Sequence, residues 1–435
     1  MHEFEPSRQS LKEPHEMSKV PLVVSVTPIR AESDSRSLKI AASIARFGYR
    51  SILVERCKSM FDPAGLPFQL RNMNHLIQLG STPDQPKGRS SDKNDLAKAV
   101  RAVWGTLGEK FPILFVCWYV WRCFCTPLKS LPKASLYYLH EYSLFPAVYL
   151  LSRIRRTPVI YDAHDFYSGI RSADDIRKLA FGKRCIAAFY RYVEYHLIKS
   201  AAAVVTVSDG VALLLTKTFG CTPFVIRNCH DFRLDRLPAK RIREASGLML
   251  GDFLLVIVGN AKDGMAIEQT LDAMLTLPPN VHLAFVGDNY DRHLRGAQRR
   301  VLEGRIHLMG TVPPTEIVPF IQTADAAILP YYNRSLNYEN CLPNGFFQAI
   351  SAELPVLYPN LPEIAKIAHK YGVGVPIDSL SSNSIRNAVM GLVADPALKL
   401  RYGENSSFAA RELSWEREEK ALRQLISKTL GSTGG

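Results

Sequence analysis

The run SLNYENCLPNGFFQAISAELPVL, from Ser335 to Leu357, has its polar residues spaced as an anion site would need them. It reads as a polar loop, a short helix and an apolar strand. A helix start offers unpaired backbone N–H groups and the positive end of the helix dipole, and both favour a phosphate. Pro343 suits a first helical turn, where its missing donor is not needed. Gly345 would let a ligand approach the backbone closely, and Gln348 could present its amide to a sugar hydroxyl. The competing reading is a surface loop that caps an ordinary helix.

Two other loops end apolar segments with reactive side chains. In YDAHDFYSG, Asp162, His164 and Asp165 follow a predicted strand directly. A histidine there can donate to a substrate oxygen or stabilise developing charge, with a carboxylate to orient it; the plainer alternative is a hydrogen-bonded loop histidine beside a capping aspartate. In VGNAKDG, Lys262 stands at the head of a helix, where it can neutralise a diphosphate, or else is a solvated surface charge. No G-x-G-x-x-G follows any strand and no G-x-x-x-x-G-K-[ST] exists, so nicotinamide cofactors and P-loop hydrolysis lose support. The sequence also lacks a D-x-D pair and any His/Cys/Glu cluster with metal-ligand spacing. The expectation is no metal and no cofactor, with a diphosphate held by cationic and backbone donors.

Positioning these loops requires a scaffold, and the apolar pattern supplies one. From Pro21 it reads strand (PLVVSVTPI), helix (SLKIAASIARFGY) and strand (RSILVE), then SLYYLH, FPAVYLLSRIRR and TPVIYDAHD, then AAVVTVS, a short helix from Asp209, and PFVIRN. The same grammar restarts at FLLVIVGN after a basic, irregular stretch from Asp231 to Gly251. Apolar strands alternating with helices predict parallel sheets covered on both faces, an α/β fold of two Rossmann-like halves. The expected divisions are a disordered tail at 1–20, a first domain at 21–235, a linker at 236–250, a second domain at 251–400 and a closing helix at 401–428. Ligands of such sheets bind beyond the strand C-termini, which puts them in the cleft.

Composition narrows the class. With 435 residues, 47% of them hydrophobic, the chain can fill two cores. Its charge is uneven: residues 1–240 hold 35 Lys and Arg against 21 Asp and Glu, whereas 241–435 hold 19 against 20. A one-sided positive field attracts phosphates, those of anionic lipid headgroups or of a pyrophosphate-linked substrate included. No nucleic-acid-binding module accompanies it, so nucleic acid is not expected as a partner. The eight cysteines are scattered without C-x-x-C spacing, and no apolar h-region follows the start; reduced thiols in a cytoplasmic protein are the expectation. The run at 111–125, FPILFVCWYVWRCFC, is too short to cross a bilayer, which needs about 20 residues. It reads first as a buried helix, with an interfacial helix as the alternative to which the bases that follow at Lys129, Lys133, Arg153, Arg155 and Arg156 lend some weight.

Taken in order, SDSRSLKIAASIARFGY, TPVIYDAHD, VEYHLIKSAAAVVTVSDGVALLL with VIRNCHDF, VGNAKDG, RIHLMGTVPPTEIVPFIQTADAAILPYY and LPNGFFQAISAELPVL make a pattern. From about Pro21 to Leu425 the chain resembles the GT-B retaining glycosyltransferases of family GT4, which build bacterial surface polysaccharides and glycolipids. The resemblance implies a GT-B fold whose last helix crosses back to the first domain. It implies a metal-independent hexosyltransferase whose donor is a nucleotide-diphosphate sugar and whose acceptor is a lipid-linked saccharide, acting as a peripheral protein at the inner membrane face. By position it places Lys262 at the donor diphosphate and His164 at the donor sugar, with the leaving phosphate taking the acceptor proton. The family's E-x7-E element falls on Asn340 and Gln348, with Asn344 and Gly345 between them. Neither end is a glutamate here, and Glu339 is one residue out of register. In the LPNK-aromatic-FE variant of the element, Gly345 replaces the lysine and Gln348 the glutamate. A neutral amide in place of a carboxylate loses about 1–2 kcal/mol of charge-assisted hydrogen bonding. The same departures support a rival reading, a GT-B pseudoenzyme that scaffolds or activates a partner glycosyltransferase.

Overall fold

The computed structural model describes residues 20–59, 65–73, 111, 113, 128, 131–169, 181–249, 251–294 and 301–432. The expected tail before Val20, most of the apolar run 111–125, and Lys129 lie outside the described residues. No helix among the described residues is long and apolar enough to cross a membrane. Cys57, Cys185, Cys221, Cys229 and Cys341 are free thiols.

The first half is built on seven parallel strands: β1 (Leu22–Thr27), β2 (Arg50–Glu55), β3 (Gln69–Asn72), β4 (Leu136–His140), β5 (Val159–Ala163), β6 (Ala203–Thr206) and β7 (Phe224–Val225). Their order is β3-β2-β1-β4-β5-β6-β7. Helices α1 (Ser35–Arg46), α2 (Phe145–Arg155), α3 (Phe181–Ser200) and α4 (Asp209–Phe219) cover it. Local chemistry sets their ends. Asp34 caps α1 by accepting the Ser37 N–H at 3.1 Å, and Ser208 caps α4 by accepting that of Val211 at 3.1 Å. Gly220 closes α4 in the left-handed conformation.

The second half follows with α5 (Ile242–Ala245), β8 (Phe253–Val258), α6 (Ile267–Thr276), β9 (Val281–Val286), β10 (Ile306–Gly310), α7 (Ile317–Ile321) and β11 (Ala326–Ile328). Then come α8 (Leu336–Asn340), α9 (Asn344–Ser351), β12 (Val356–Pro359), α10 (Pro362–Tyr371), β13 (Gly374–Ile377), α11 (Ser382–Ala394), α12 (Pro396–Glu412) and α13 (Trp415–Gly431). Its six strands run β10-β9-β8-β11-β12-β13, again parallel. Strands such as FLLVIV are buried throughout, as sheets covered on both faces require. In each sheet the strand order reverses beside the first strand, at β1/β4 and β8/β11, and that reversal opens a crevice at the strand C-termini.

Two details differ from the sequence expectation. Part of the irregular stretch at 236–250 is helical, and Ile242 of α5 is buried in the second core. The closing helix expected over 401–428 is divided at Leu413–Ser414: α12 stays on the second half, and α13 alone packs on the first. The break coincides with a bridge between His230 and Ser414, where both crossings of the chain lie side by side. Trp415, fully buried, then fits among Val23, Ile40 and Ile44 and donates from its indole to Ser43 Oγ at 2.8 Å. Trp415→Ala should cost about 3–5 kcal/mol, read as a lowered denaturant midpoint. Limited proteolysis should show earlier cleavage near 413–414, and unchanged cleavage would mean that α13 is held by other contacts.

Candidate active site

Arg36, in the first turn of α1, reaches beneath the end of β5. Its Nε and Nη2 donate to the two carboxylate oxygens of Asp162 at 2.8 and 2.9 Å, and Nη1 donates to the Ile226 carbonyl at 2.8 Å. The Tyr138 hydroxyl donates to Asp162 at 3.0 Å. Both ions are out of water, at 2% and 0% side-chain exposure. Burial alone would raise the pKa of Asp162, but the Arg36 charge and hydrogen bonds outweigh it and hold the carboxyl at about 2.

Above this pair lie two histidines. His140, the last residue of β4, puts its Nδ1 3.1 Å from His164 Nε2, and Asp162 Oδ2 is 3.8 Å from each. His140 is fully buried, and burial, with the repulsion that a protonated His164 would add, lowers its pKa to about 4, so it is neutral at pH 7. Among the described residues its Nε2 has no hydrogen-bond partner. A buried lone pair without a partner is tolerated more readily than a buried orphan N–H, which makes His140 Nδ1–H the donor. On that assignment His164 accepts at Nε2 and carries its own proton on Nδ1.

His140, Asp162 and His164 also bring three metal-ligand atoms within 4.8 Å of one another. The donor set does not suit a dication. Asp162 already balances Arg36 and accepts from Tyr138, so a metal there would sit beside an uncompensated guanidinium.

Across the cleft, α8 ties the loops of the two halves together. Asn337 Nδ2 donates to Asp165 at 2.9 Å, and its Oδ1 accepts the Phe166 N–H at 2.7 Å. On the same short helix the Tyr338 hydroxyl donates to the Asp263 carbonyl at 2.8 Å, so one turn of helix fixes both the loop of His164 and the loop of Lys262. The Lys262 side chain is exposed and makes no hydrogen bond or ion pair among the described residues, while its backbone carbonyl accepts the Met265 N–H at 3.3 Å.

The remaining sequence-predicted positions divide. Asn340 Nδ2 donates back to the Leu336 carbonyl at 2.8 Å, its backbone carbonyl accepts from Ser208 Oγ at 2.6 Å, and its side chain rests on Gly210. A Cβ at Gly210 would lie 2.4 Å from Asn340 Oδ1, so α4 accepts α8 only because that residue is glycine. Asn344 and Gln348 line a pocket between the halves with Ser35, Lys39, Asn228 and His230. Pro343 is the N-cap of α9, just before its first turn. Gly345 has a packing reason for being small, since a Cβ would come within 2.9 Å of the Val258 carbonyl.

Sequence reasoning did not single out Arg36, His140, Glu141 or Asn337. For His140 and Glu141 a signal existed: they end the apolar run SLYYLHE as Asp162 and His164 end theirs. Nothing local marks Arg36 or Asn337, whose partners are 126 and about 170 positions away.

This architecture is the GT-B fold. Across 95% of this chain and 100% of the other, it is similar to sucrose-phosphate synthase from Thermosynechococcus elongatus, with a TM-score of 0.63 and 16% identity. Anabaena HepE in complex with UDP-glucose gives 0.65 and 14% over 94% of this chain and 100% of its own. WaaG, a glycosyltransferase involved in lipopolysaccharide biosynthesis, gives 0.59 and 15% over 93% and 99%. Residues 252–395 match the family model described as glycosyl transferases group 1. No curated protein matches the sequence.

Asp162→Asn leaves Arg36 buried without a counter-ion and should destabilise the protein by about 3–5 kcal/mol, measured by denaturant unfolding. The neutral His140 gives a pH test. Below pH 6.5 the unfolded state takes up a proton that the folded state refuses down to about pH 4, so stability falls as the pH drops through that window. The contribution is about 3 kcal/mol when complete. Glu141 and Glu194, both raised to about 7, work in the opposite sense, which is why the comparison must be with a variant. Between pH 7 and 5 the wild type should lose more stability than His140→Asn; equal losses would exclude a buried neutral imidazole.

Proposed function

We propose that the protein is a glycosyltransferase that takes a hexose from a nucleotide-diphosphate sugar and transfers it, with retention and without a metal, to a lipid-linked saccharide at the cytoplasmic face of a membrane. The observation that carries this reading is the α8 bridge, because it brings a loop with a histidine and a loop with an unpaired lysine to one cleft of a GT-B fold. In this reading Lys262 meets the diphosphate, which an unneutralised cation at a strand end is suited to do. His164 donates to the donor sugar. Asn344, Gly345 and Gln348 form the nucleoside end, with the Gln348 amide on the ribose. HepE, solved with UDP-glucose, makes that donor the first to test.

Support for an anionic surface comes from the outer face of the first half. Along α3, Phe181, Tyr192 and Tyr195 are 75%, 63% and 44% exposed, and Arg184, Arg191 and Lys199 are exposed beside them. The one acid of α3, Glu194, is buried. Arg153, Ile154 and Arg156 at the end of the adjacent α2 extend the patch. Aromatic rings among bases, with no exposed acid in the patch among the described residues, suit a headgroup layer of negative charge.

A second reading, the impaired scaffold, is favoured by Asn340. Its side chain is committed to Leu336 and Gly210, where the resemblance would put a group beside the donor sugar.

Calorimetry against UDP-glucose and a panel of other nucleotide sugars separates the two, since silence across the panel favours the scaffold. Where a donor binds, Lys262→Ala should weaken it about tenfold or more, and Gln348→Glu should tighten it by a similar factor; a weaker Gln348→Glu complex would contradict the ribose assignment. In flotation assays the protein should follow phosphatidylglycerol vesicles and leave phosphatidylcholine vesicles, and Arg191→Glu with Tyr192→Glu should abolish the difference. Equal binding to both lipids would remove the membrane clause.

A further inference from the structure

Glu141 follows β4 directly, at the strand reversal of the first sheet where the crevice opens. Its backbone has φ 63° and ψ 159°, a region that is nearly reserved for glycine because a Cβ is crowded there. The conformation is fixed from both sides: its N–H donates to the Asp162 carbonyl at 3.3 Å, and the next three residues form a short 3-10 turn leading into α2. A glycine would take this conformation without strain. The chain instead carries a carboxylate there.

That carboxylate makes no hydrogen bond or ion pair among the described residues, unlike Asp34, Asp162 and Asp165 around it. It is half-buried, and the charges near it are those of His164 and Asp165 after β5, Asp34 before α1, and the phenols of Tyr161, Tyr142 and Tyr167. Burial and the two aspartates oppose its ionised form, which a protonated His164 would favour, and the balance lifts its pKa to about 7. An acid in that range changes state near neutrality, and as a carboxylate it can only accept hydrogen bonds.

We infer that Glu141 is the acceptor-binding residue of the first half: its carboxylate accepts a hydrogen bond from the hydroxyl of the saccharide that receives the sugar. This rests on the transferase reading and extends it to the acceptor side of the cleft. It also sets a charge preference. With Glu141 and Asp165 on the loops after β4 and β5, and Asp34 buried near them, the receiving end of the acceptor is a neutral, hydroxyl-rich sugar, because a uronate or a phosphorylated sugar would meet like charge.

The test uses the full chain, with octyl β-D-glucoside as a neutral acceptor probe and octyl β-D-glucuronide as its charged counterpart, each titrated with and without UDP. The glucoside should bind the wild type more tightly as the pH rises through about 7, whereas Glu141→Gln should bind about tenfold more weakly with no such rise. The glucuronide should bind the wild type less well than the glucoside and gain on Glu141→Gln. Glu141→Gly separates binding from structure: with the strain removed it should unfold at an equal or higher denaturant concentration while losing the probe. A Glu141→Gly protein less stable than wild type would mark Glu141 as structural and overturn the assignment. Equal glucoside binding by wild type and Glu141→Gln, or no binding by either, would overturn it as well. UDP-glucose affinity should be the same in all three proteins, and its absence in the wild type would count against the donor reading instead.

Discussion

The pair formed by Arg36 and Asp162 is the constraint on which the site depends. Neither ion reaches water, so each is tolerable only in the presence of the other, with Tyr138 and the Ile226 carbonyl taking up remaining hydrogen-bonding capacity. The pair joins the start of α1 to the end of β5 and to the point where the chain leaves the first sheet. The histidines stand beside it, with Asp162 Oδ2 3.8 Å from a ring nitrogen of each. It also takes up the carboxylate that, among the described residues, would join those histidines in offering three ligand atoms to a metal. A cationic helix start placed under an anionic strand end thus defines the polarity of the cleft floor.

The connection between the halves is polar as well, and narrow. Lys39, buried beneath Trp415, donates to the carbonyls of Asn228 and Cys229, so that α1, the outgoing chain and α13 share one amine. Burial lowers its pKa to about 7. Lys366 and Asp209 pair at 2.7 Å farther out, where solvent makes the bond weak. Between these, Asn337 and Asn340 of α8 press against the loop after β5 and the start of α4. A surface made of single hydrogen bonds, an exposed ion pair and close contacts at Gly169 and Gly210 can separate at small cost, as relative motion of two halves requires.

Much of this was legible in the chain. The apolar strands, the alternation with helices and the restart at FLLVIVGN give two parallel sheets because burial on both faces demands continuous apolar runs. The loops of His164 and Lys262 were found because each follows such a run. The helix over Asn344–Ser351 and the strand after it were likewise readable, whereas the five-residue α8 within the preceding loop was not, since so short a helix has little periodicity. Asn337 was passed over for that reason, and Asn340 was read for its place in a motif although its side chain turns toward Gly210.

What the sequence by itself determined, then, is the set of elements and which loops close them, because those follow from side-chain periodicity and turn chemistry over a few residues. Tertiary structure decided which charges are paired and which are free. Arg36 and Asp162 cancel across 126 positions, His140 is kept neutral by burial, and the Glu141 carboxylate, on a strained backbone, has no partner among the described residues. Charge in a protein is priced by its desolvation and its neighbours, and neither quantity exists until distant segments have met.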